Sequence, residues 1–137
     1  MFYKDMIQRA QTIYLLFSVL LCMLTFYLFP LEFEKEDFFG IDYRFLFQKY
    51  SFLLISLLSL VSIIIYKKRD FQLLLNRFSL LLIFFLITSF FVINIDSFNS
   101  NHYKILSSAL INFILIIFAN KSILKDKKLI DSINRLR

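Results

Sequence analysis

Residues Phe78–Ile95, FSLLLIFFLITSFFVINI, form a run of 18 residues without a charged side chain. Three further charge-free runs occupy Ile13–Leu31, Tyr50–Tyr66 and Ile105–Asn120. A helix needs about 20 apolar residues to cross a bilayer, and backbone amides in lipid must be bonded within their own segment. The apolar residues do not alternate with polar ones, as they would in the strands of a transmembrane barrel. We therefore predict four transmembrane helices.

The composition of the 137-residue chain favours the same class of protein. Hydrophobic residues make up 59% and charged residues 19%, whereas a soluble domain is roughly half apolar and a quarter charged. A soluble fold of this size could not bury 19 Phe and 7 Tyr together with so much Leu and Ile. The single cysteine, Cys22, excludes an intramolecular disulfide. A disordered chain, a disulfide scaffold and a water-soluble enzyme are thus disfavoured.

The predicted fold is all-α, an integral membrane four-helix bundle with up-down-up-down topology. Short links between successive spans make neighbouring helices antiparallel. We place the whole chain, residues 1–137, in a single domain, with spans at about 11–31, 48–66, 78–96 and 103–120.

Residues 121–137 differ from the spans in character. On a helical wheel Ile123, Leu129 and Ile130 fall on one side, and Lys121, Lys125 and Lys128 fall on the other. This pattern predicts a C-terminal amphipathic cytoplasmic helix, with its apolar face in the membrane interface and its basic face toward anionic headgroups. A helix that docks on a partner protein has the same pattern, so partner docking is an alternative.

The distribution of basic residues predicts the orientation of the chain. If both termini are cytoplasmic, 12 of the 16 Lys and Arg residues lie on the inner side of the membrane and 4 on the outer side. Cytoplasmic loops carry the excess of positive charge in membrane proteins. We therefore expect both termini to be cytoplasmic.

Polar residues inside the spans are hydroxyls and amides, and none of the four charge-free runs contains Asp, Glu, Lys, Arg or His. This absence disfavours proton-coupled transport and chemistry at membrane depth. Small and hydroxyl residues are typical of helix–helix packing, and a polar cavity centred on Asn112 is the alternative interpretation. The candidates for intramembrane polar packing are Ser18, Thr25, Ser59, Ser62 and Asn112.

Motifs for catalysis or cofactor binding are missing from the sequence. The only glycine is Gly40, so no glycine-rich phosphate loop can form. The acidic segment at 32–37 lacks the glycine and ligand spacing of a calcium loop. His102 with Asp96 is the only acid–base pair that an interfacial enzyme could use. We predict no catalytic residues, no cofactor and no metal site, and no nucleic-acid partner.

Three segments carry a family resemblance. Met6–Leu16, MIQRAQTIYLL, resembles the opening of domain-of-unknown-function family 4293, a family of small four-span membrane proteins of Bacteroidota. Tyr66–Leu73 resembles the basic cytoplasmic loop of that family, with matches at Arg69 and Gln72, and residues 119–137 resemble its closing tail. The family opening corresponds to Met6, so translation from Met6 is an alternative to Met1. The resemblance implies a bacterial inner-membrane protein with four spans and implies no activity.

The residues that match these segments all lie on the side predicted to be cytoplasmic. Topology and helix capping would explain this, and a docking surface for a partner protein is the functional hypothesis. The candidate docking or family-motif residues are Gln8, Arg9, Gln11, Arg69, Gln72, Asn120, Lys121, Arg135 and Arg137.

Two classes of function are compatible with the sequence. The first is a non-enzymatic scaffold or accessory subunit that acts through a membrane protein partner or as a homo-oligomer. The second is a small transporter or an oligomeric pore lined by the Ser and Asn residues of the spans.

Overall fold

The computed structural model describes residues 2–28, 43–66, 68–93 and 100–135. Within these ranges the chain forms helices and no strand, which confirms the predicted all-α class. The ends of the predicted first and third spans, Asp96 and Arg137 lie outside the described residues. The helices are α1 (Phe2–Leu28), α2 (Tyr43–Ile64), α3 (Arg69–Ile93) and α4 (Ser100–Arg135).

Three of these helices contain a stretch that is long and apolar enough to cross a membrane: Ala10–Leu28, Arg69–Val92 and Tyr103–Ser132. The apolar part of α2, Tyr50–Ile64, is shorter. The first turns of α2 carry Arg44 and Lys49, which interrupt its apolar sequence. The whole of α2 has 22 residues, or about 33 Å, and long basic side chains can extend to the membrane surface.

The helices pack in a ring that follows chain order. α1 packs against α2 and α4, and α3 packs against the same two helices. Residue pairs between α2 and α3 run in opposite order along the two helices: Gln48 lies near Ser89, and Ser62 lies near Asn76. The pairs between α3 and α4 behave in the same way, with Asn76 near Asn120 and Arg69 near Asp126.

α4 differs from the prediction because it is one uninterrupted helix of 36 residues, about 54 Å long. A separate tail helix lying along the membrane would require a bend after Asn120. No Gly or Pro occurs in α4 to produce one. Ile123 and Asp126 are instead buried against the bundle, at 0% and 1% exposure.

The bundle has an apolar exterior and a mixed interior. Large side chains such as Phe17, Phe84 and Val92 are more than half exposed, as expected where lipid takes the place of water. Polar side chains occupy much of the interior, where they can bond between helices that have little hydrophobic reason to associate in lipid. The buried polar residues are Gln11, Ser18, Thr25, Gln48, Ser51, Ser56, Ser59, Ser62, Gln72, Asn76, Ser79, Ser108, Asn112 and Asp126.

Candidate functional site

A central polar cluster joins α1, α2 and α4. The Ser18 hydroxyl donates a hydrogen bond to Asn112 Oδ1 at 2.5 Å, and it lies 3.3 Å from the Ser59 hydroxyl oxygen. The Asn112 amide nitrogen donates to the sulfur of Cys22. These side chains are at most 1% exposed. Three of the predicted intramembrane polar residues are thus brought together, and they cross-link three helices.

A second polar cluster joins α2, α3 and α4. The Ser62 hydroxyl donates to Asn76 Oδ1 at 2.9 Å, and the Asn76 amide nitrogen donates to Asn120 Oδ1 at 2.9 Å. Sequence reasoning missed Asn76 because it precedes the apolar run that begins at Phe78. Its spacing from Arg69 and Gln72, at i+7 and i+4, places it on the same face of α3 and is the signal that would have found it.

Among the described residues, the hydroxyl of Thr25, the remaining predicted packing residue, forms hydrogen bonds only within its own helix. That hydroxyl bonds the backbone carbonyl oxygens of Leu21 and Cys22 in its own helix, both at 2.9 Å. Ser and Thr hydroxyls in helices commonly donate their hydrogen bond to a backbone carbonyl of the preceding turn. Its burial at 4% exposure therefore reflects packing rather than a link between helices.

Two ion pairs connect the first turn of α3 to α4. Arg69 Nη2 lies 2.6 Å from Asp126 Oδ2, and the two side chains are 14% and 2% exposed. The neighbouring pair, Asp70 with Lys127, is far more exposed. A buried carboxylate is costly without an opposite charge, so the first pair constrains the position of α4 strongly and the second does so weakly. The sequence pattern gives no sign of this burial, because Asp126 lies among lysines in the predicted tail helix.

Two further candidate docking residues, Gln11 and Gln72, point into the bundle and are 4% and 2% exposed. Within the described part of the chain, no hydrogen-bond partner is found for Gln11 Nε2, Gln72 Oε1 or Arg69 Nη1. Asn120 is half-buried in the second cluster. These four candidates therefore line the interior near one end of the bundle and do not form an exposed face.

Lys121 is the one candidate docking residue with a described, exposed side chain. Its ammonium lies 5.9 Å from the ring centroid of Phe118, which is itself 5.9 Å from the ring of Tyr14 on α1. Lys125 and Lys128 follow on the same helix and are also exposed. The side chains of Gln8, Arg9, His102 and Arg135, and all of Arg137, lie outside what the structure describes.

The described residues contain no group of three His, Cys, Asp or Glu side chains that could hold a metal ion. The chemistry available in this region is therefore that of amides, hydroxyls, one buried ion pair and exposed lysines.

Comparison with known proteins gives one match. No curated protein and no solved structure is similar to the chain. A family model described as a domain of unknown function, DUF4293, matches residues 7–136. The match confirms the resemblance to this family. The chain belongs to the DUF4293 family.

Proposed function

We propose that this protein is a non-enzymatic scaffold or accessory subunit of the bacterial inner membrane, which acts by binding a protein partner at the cytoplasmic end of its bundle. In this proposal α2 also crosses the membrane, which brings the number of spans to four. The topology is up-down-up-down, and both termini are cytoplasmic. The opposite order of residue pairs between α2 and α3 and between α3 and α4 supports antiparallel neighbours. The excess of basic residues supports the orientation.

The observation that carries the proposal is the continuation of α4 beyond the first turn of α3. Among the described residues, the ion pair between Asp70 and Lys127 joins α3 and α4 close to the N-terminal end of α3, and α3 begins at Arg69. The α4 extension, residues 129–135, continues for about 10 Å past this level. Leu129, Asp131 and Ser132 on it are exposed.

The way α4 is held supports partner docking over membrane anchoring. An interfacial helix would lie in the plane of the membrane with its apolar face in lipid. α4 instead keeps Ile123 and Asp126 inside the bundle and is tied to α3 by Arg69. A helix fixed at its base presents its far end in a defined direction, which reduces the ordering cost of binding a partner.

Truncation tests this role. A chain that ends after Lys128 keeps both ion pairs and loses residues 129–137. After purification from native membranes in mild detergent, we expect a stoichiometric partner with the full chain and at least a tenfold loss of that partner with the truncated chain. Membrane insertion should be unchanged, and the helix content should fall only by the deleted turns of α4, residues 129–135.

The matched control is Ser107→Ala, an exposed change near the other end of α4 that removes only a bond to the backbone of its own helix. It should retain the partner. Equal recovery of the partner with the truncated chain, or a full-length protein that carries no stoichiometric partner, contradicts the proposal.

A small transporter or oligomeric pore is the second candidate, and the polar interior of the bundle is the observation that favours it. In a single chain, however, fully buried apolar side chains share the interior with the polar clusters: Leu15 precedes Ser18 by one turn on α1, and Ile116 lies between Asn112 and Asn120 on α4. If ions or small solutes crossed the membrane of liposomes containing the pure protein, the pore function would take the place of the scaffold function. No flux above that of empty liposomes is expected.

A further inference from the structure

Three lysines form a line on the outer face of α4. Lys121, Lys125 and Lys128 are spaced at i, i+4 and i+7 and therefore lie within about 60° of one another around the helix. All three are exposed. We call them the lysine stripe, and they span about 10 Å along the helix axis.

Two of the acidic side chains near the lysine stripe are paired with residues outside it. Asp126 pairs with Arg69 and Asp70 pairs with Lys127, so both carboxylates are engaged on the α3 side of the helix. Asp131 is exposed, acts electrostatically on Lys127 and lies three residues after Lys128, so it offsets part of the charge at one end of the stripe. No ion pair between the stripe and an acidic residue is found in the described part of the chain. The stripe thus presents a local excess of positive charge on the side away from α3.

The same face of α4 is apolar immediately before the lysine stripe. Ile114 and Phe118 align with Lys121 by helical spacing and are 50% and 46% exposed. The Phe118 ring packs beside Tyr14 of α1 and beneath the Lys121 ammonium. One continuous surface therefore changes from apolar to basic between Phe118 and Lys121, the place where the charge-free run of α4 ends.

We propose that this surface is a binding site for an anionic phospholipid of the cytoplasmic leaflet. The lysine stripe binds the headgroup phosphate, and the acyl chains lie along Ile114 and Phe118. Two features argue for a lipid here rather than a protein: the charge is complementary to a phosphate, and the apolar part of the surface lies at membrane depth. The assignment to the cytoplasmic leaflet rests on the orientation in the proposed function.

The contribution of the stripe lysines to the affinity for an anionic lipid can be estimated and measured. A lysine near an anionic lipid surface strengthens binding about fivefold. Two stripe lysines should therefore account for a factor of about 25, and three for roughly 100. Because the lysines also share one helix face, binding should depend on their position as well as on total charge.

The experiment compares two variants of equal net charge. Lys121→Gln with Lys125→Gln removes two stripe lysines. Lys68→Gln with Arg77→Gln removes two exposed basic residues of α3 and the segment before it, at the same end of the bundle. Binding of phosphatidylglycerol and of phosphatidylcholine to the purified full-length protein is measured by native mass spectrometry in mild detergent.

We expect the parent chain to bind phosphatidylglycerol more tightly than phosphatidylcholine. The variant without Lys121 and Lys125 should lose about 25-fold in its affinity for phosphatidylglycerol. The affinity of the variant without Lys68 and Arg77 should change less than threefold. Equal losses in the two variants, or equal binding of the two lipids by the parent chain, overturn the site. Inorganic phosphate at the same concentration should not bind, and binding of phosphate alone would overturn the lipid assignment.

The outcome is separable from that of the scaffold proposal. The chain truncated after Lys128 retains the lysine stripe, so it should keep its preference for phosphatidylglycerol even where it loses a protein partner. Loss of lipid preference on truncation would contradict the site, because the α4 extension contributes nothing to it.

Discussion

Removing the Arg69 guanidinium would leave the Asp126 carboxylate buried without an opposite charge. Asp126 is 1% exposed, and its carboxylate lies 2.6 Å from Arg69 Nη2. Arg69→Met keeps a long apolar side chain in the same place and removes only the charge and the hydrogen-bond donors. The change therefore isolates the electrostatic role of the arginine from its packing.

The expected loss follows from the burial of the pair. Deleting one partner of a fully buried ion pair costs about 3–5 kcal/mol. The Arg69 side chain is 14% exposed, so water can reach the vacated position and the lower end applies. We expect Arg69→Met to lower the free energy of unfolding by about 3 kcal/mol. Combining it with Asp126→Leu should restore stability to within about 1 kcal/mol of the parent chain, since an apolar pair needs no compensating charge.

The assay is reversible unfolding in mixed detergent micelles, followed by the loss of helical circular dichroism as the denaturing detergent is increased. The neighbouring pair provides a matched control, because Asp70 and Lys127 join the same two helices but are 79% and 39% exposed. Lys127→Gln should leave the unfolding midpoint unchanged, as exposed pairs contribute little.

Two results would refute the reasoning. If Arg69→Met were as mild as Lys127→Gln, the carboxylate of Asp126 would have to be solvated in the native protein. If the double variant were as unstable as the sum of the two single variants, the residues would act independently and not as a pair.

Three further predictions concern the interior and the orientation. Asn112→Leu removes the bonds to Ser18 and Cys22 and should lower the free energy of unfolding in the same assay by about 1 kcal/mol, with Ser107→Ala as the unchanged control. Asn76→Ala leaves Ser62 and Asn120 without their shared partner and should cost about 1–2 kcal/mol; a neutral result would show that the two residues find other partners. In a Cys22→Ser background, Ser132→Cys should react with a membrane-impermeant maleimide only from the cytoplasmic side and Ser100→Cys, before the predicted fourth span, only from the opposite side, and the reverse pattern would invert the topology.

The fold could be predicted because the length and apolarity of the spans are local properties of the sequence. A charge-free run such as Phe78–Ile95 is compatible with few structures other than a membrane helix, whatever its neighbours are. Asn112 could be identified as a packing residue for the same reason, since a lone amide within an apolar run needs a hydrogen-bond partner.

The partners of these residues could not be predicted, because they depend on the register between helices. Ser18 and Asn112 are 94 residues apart, and a shift of one residue in α4 would turn the amide away. Asp126 stands between lysines in a sequence that resembles an exposed helix. Its burial follows only because α4 continues straight past Asn120, which carries the interior face of the helix onward through Ala119, Ile123 and Asp126.

The unbroken course of α4 has a mechanical consequence. A helix of about 54 Å is longer than the hydrocarbon core, which is about 30 Å thick, so in the proposed orientation one stiff rod connects the two surfaces of the membrane. Tilting such a rod by about 10° about one end moves the other end by roughly 9 Å. A change in packing at the first turns of α4 would therefore displace the α4 extension by a distance comparable to that between the axes of two packed helices.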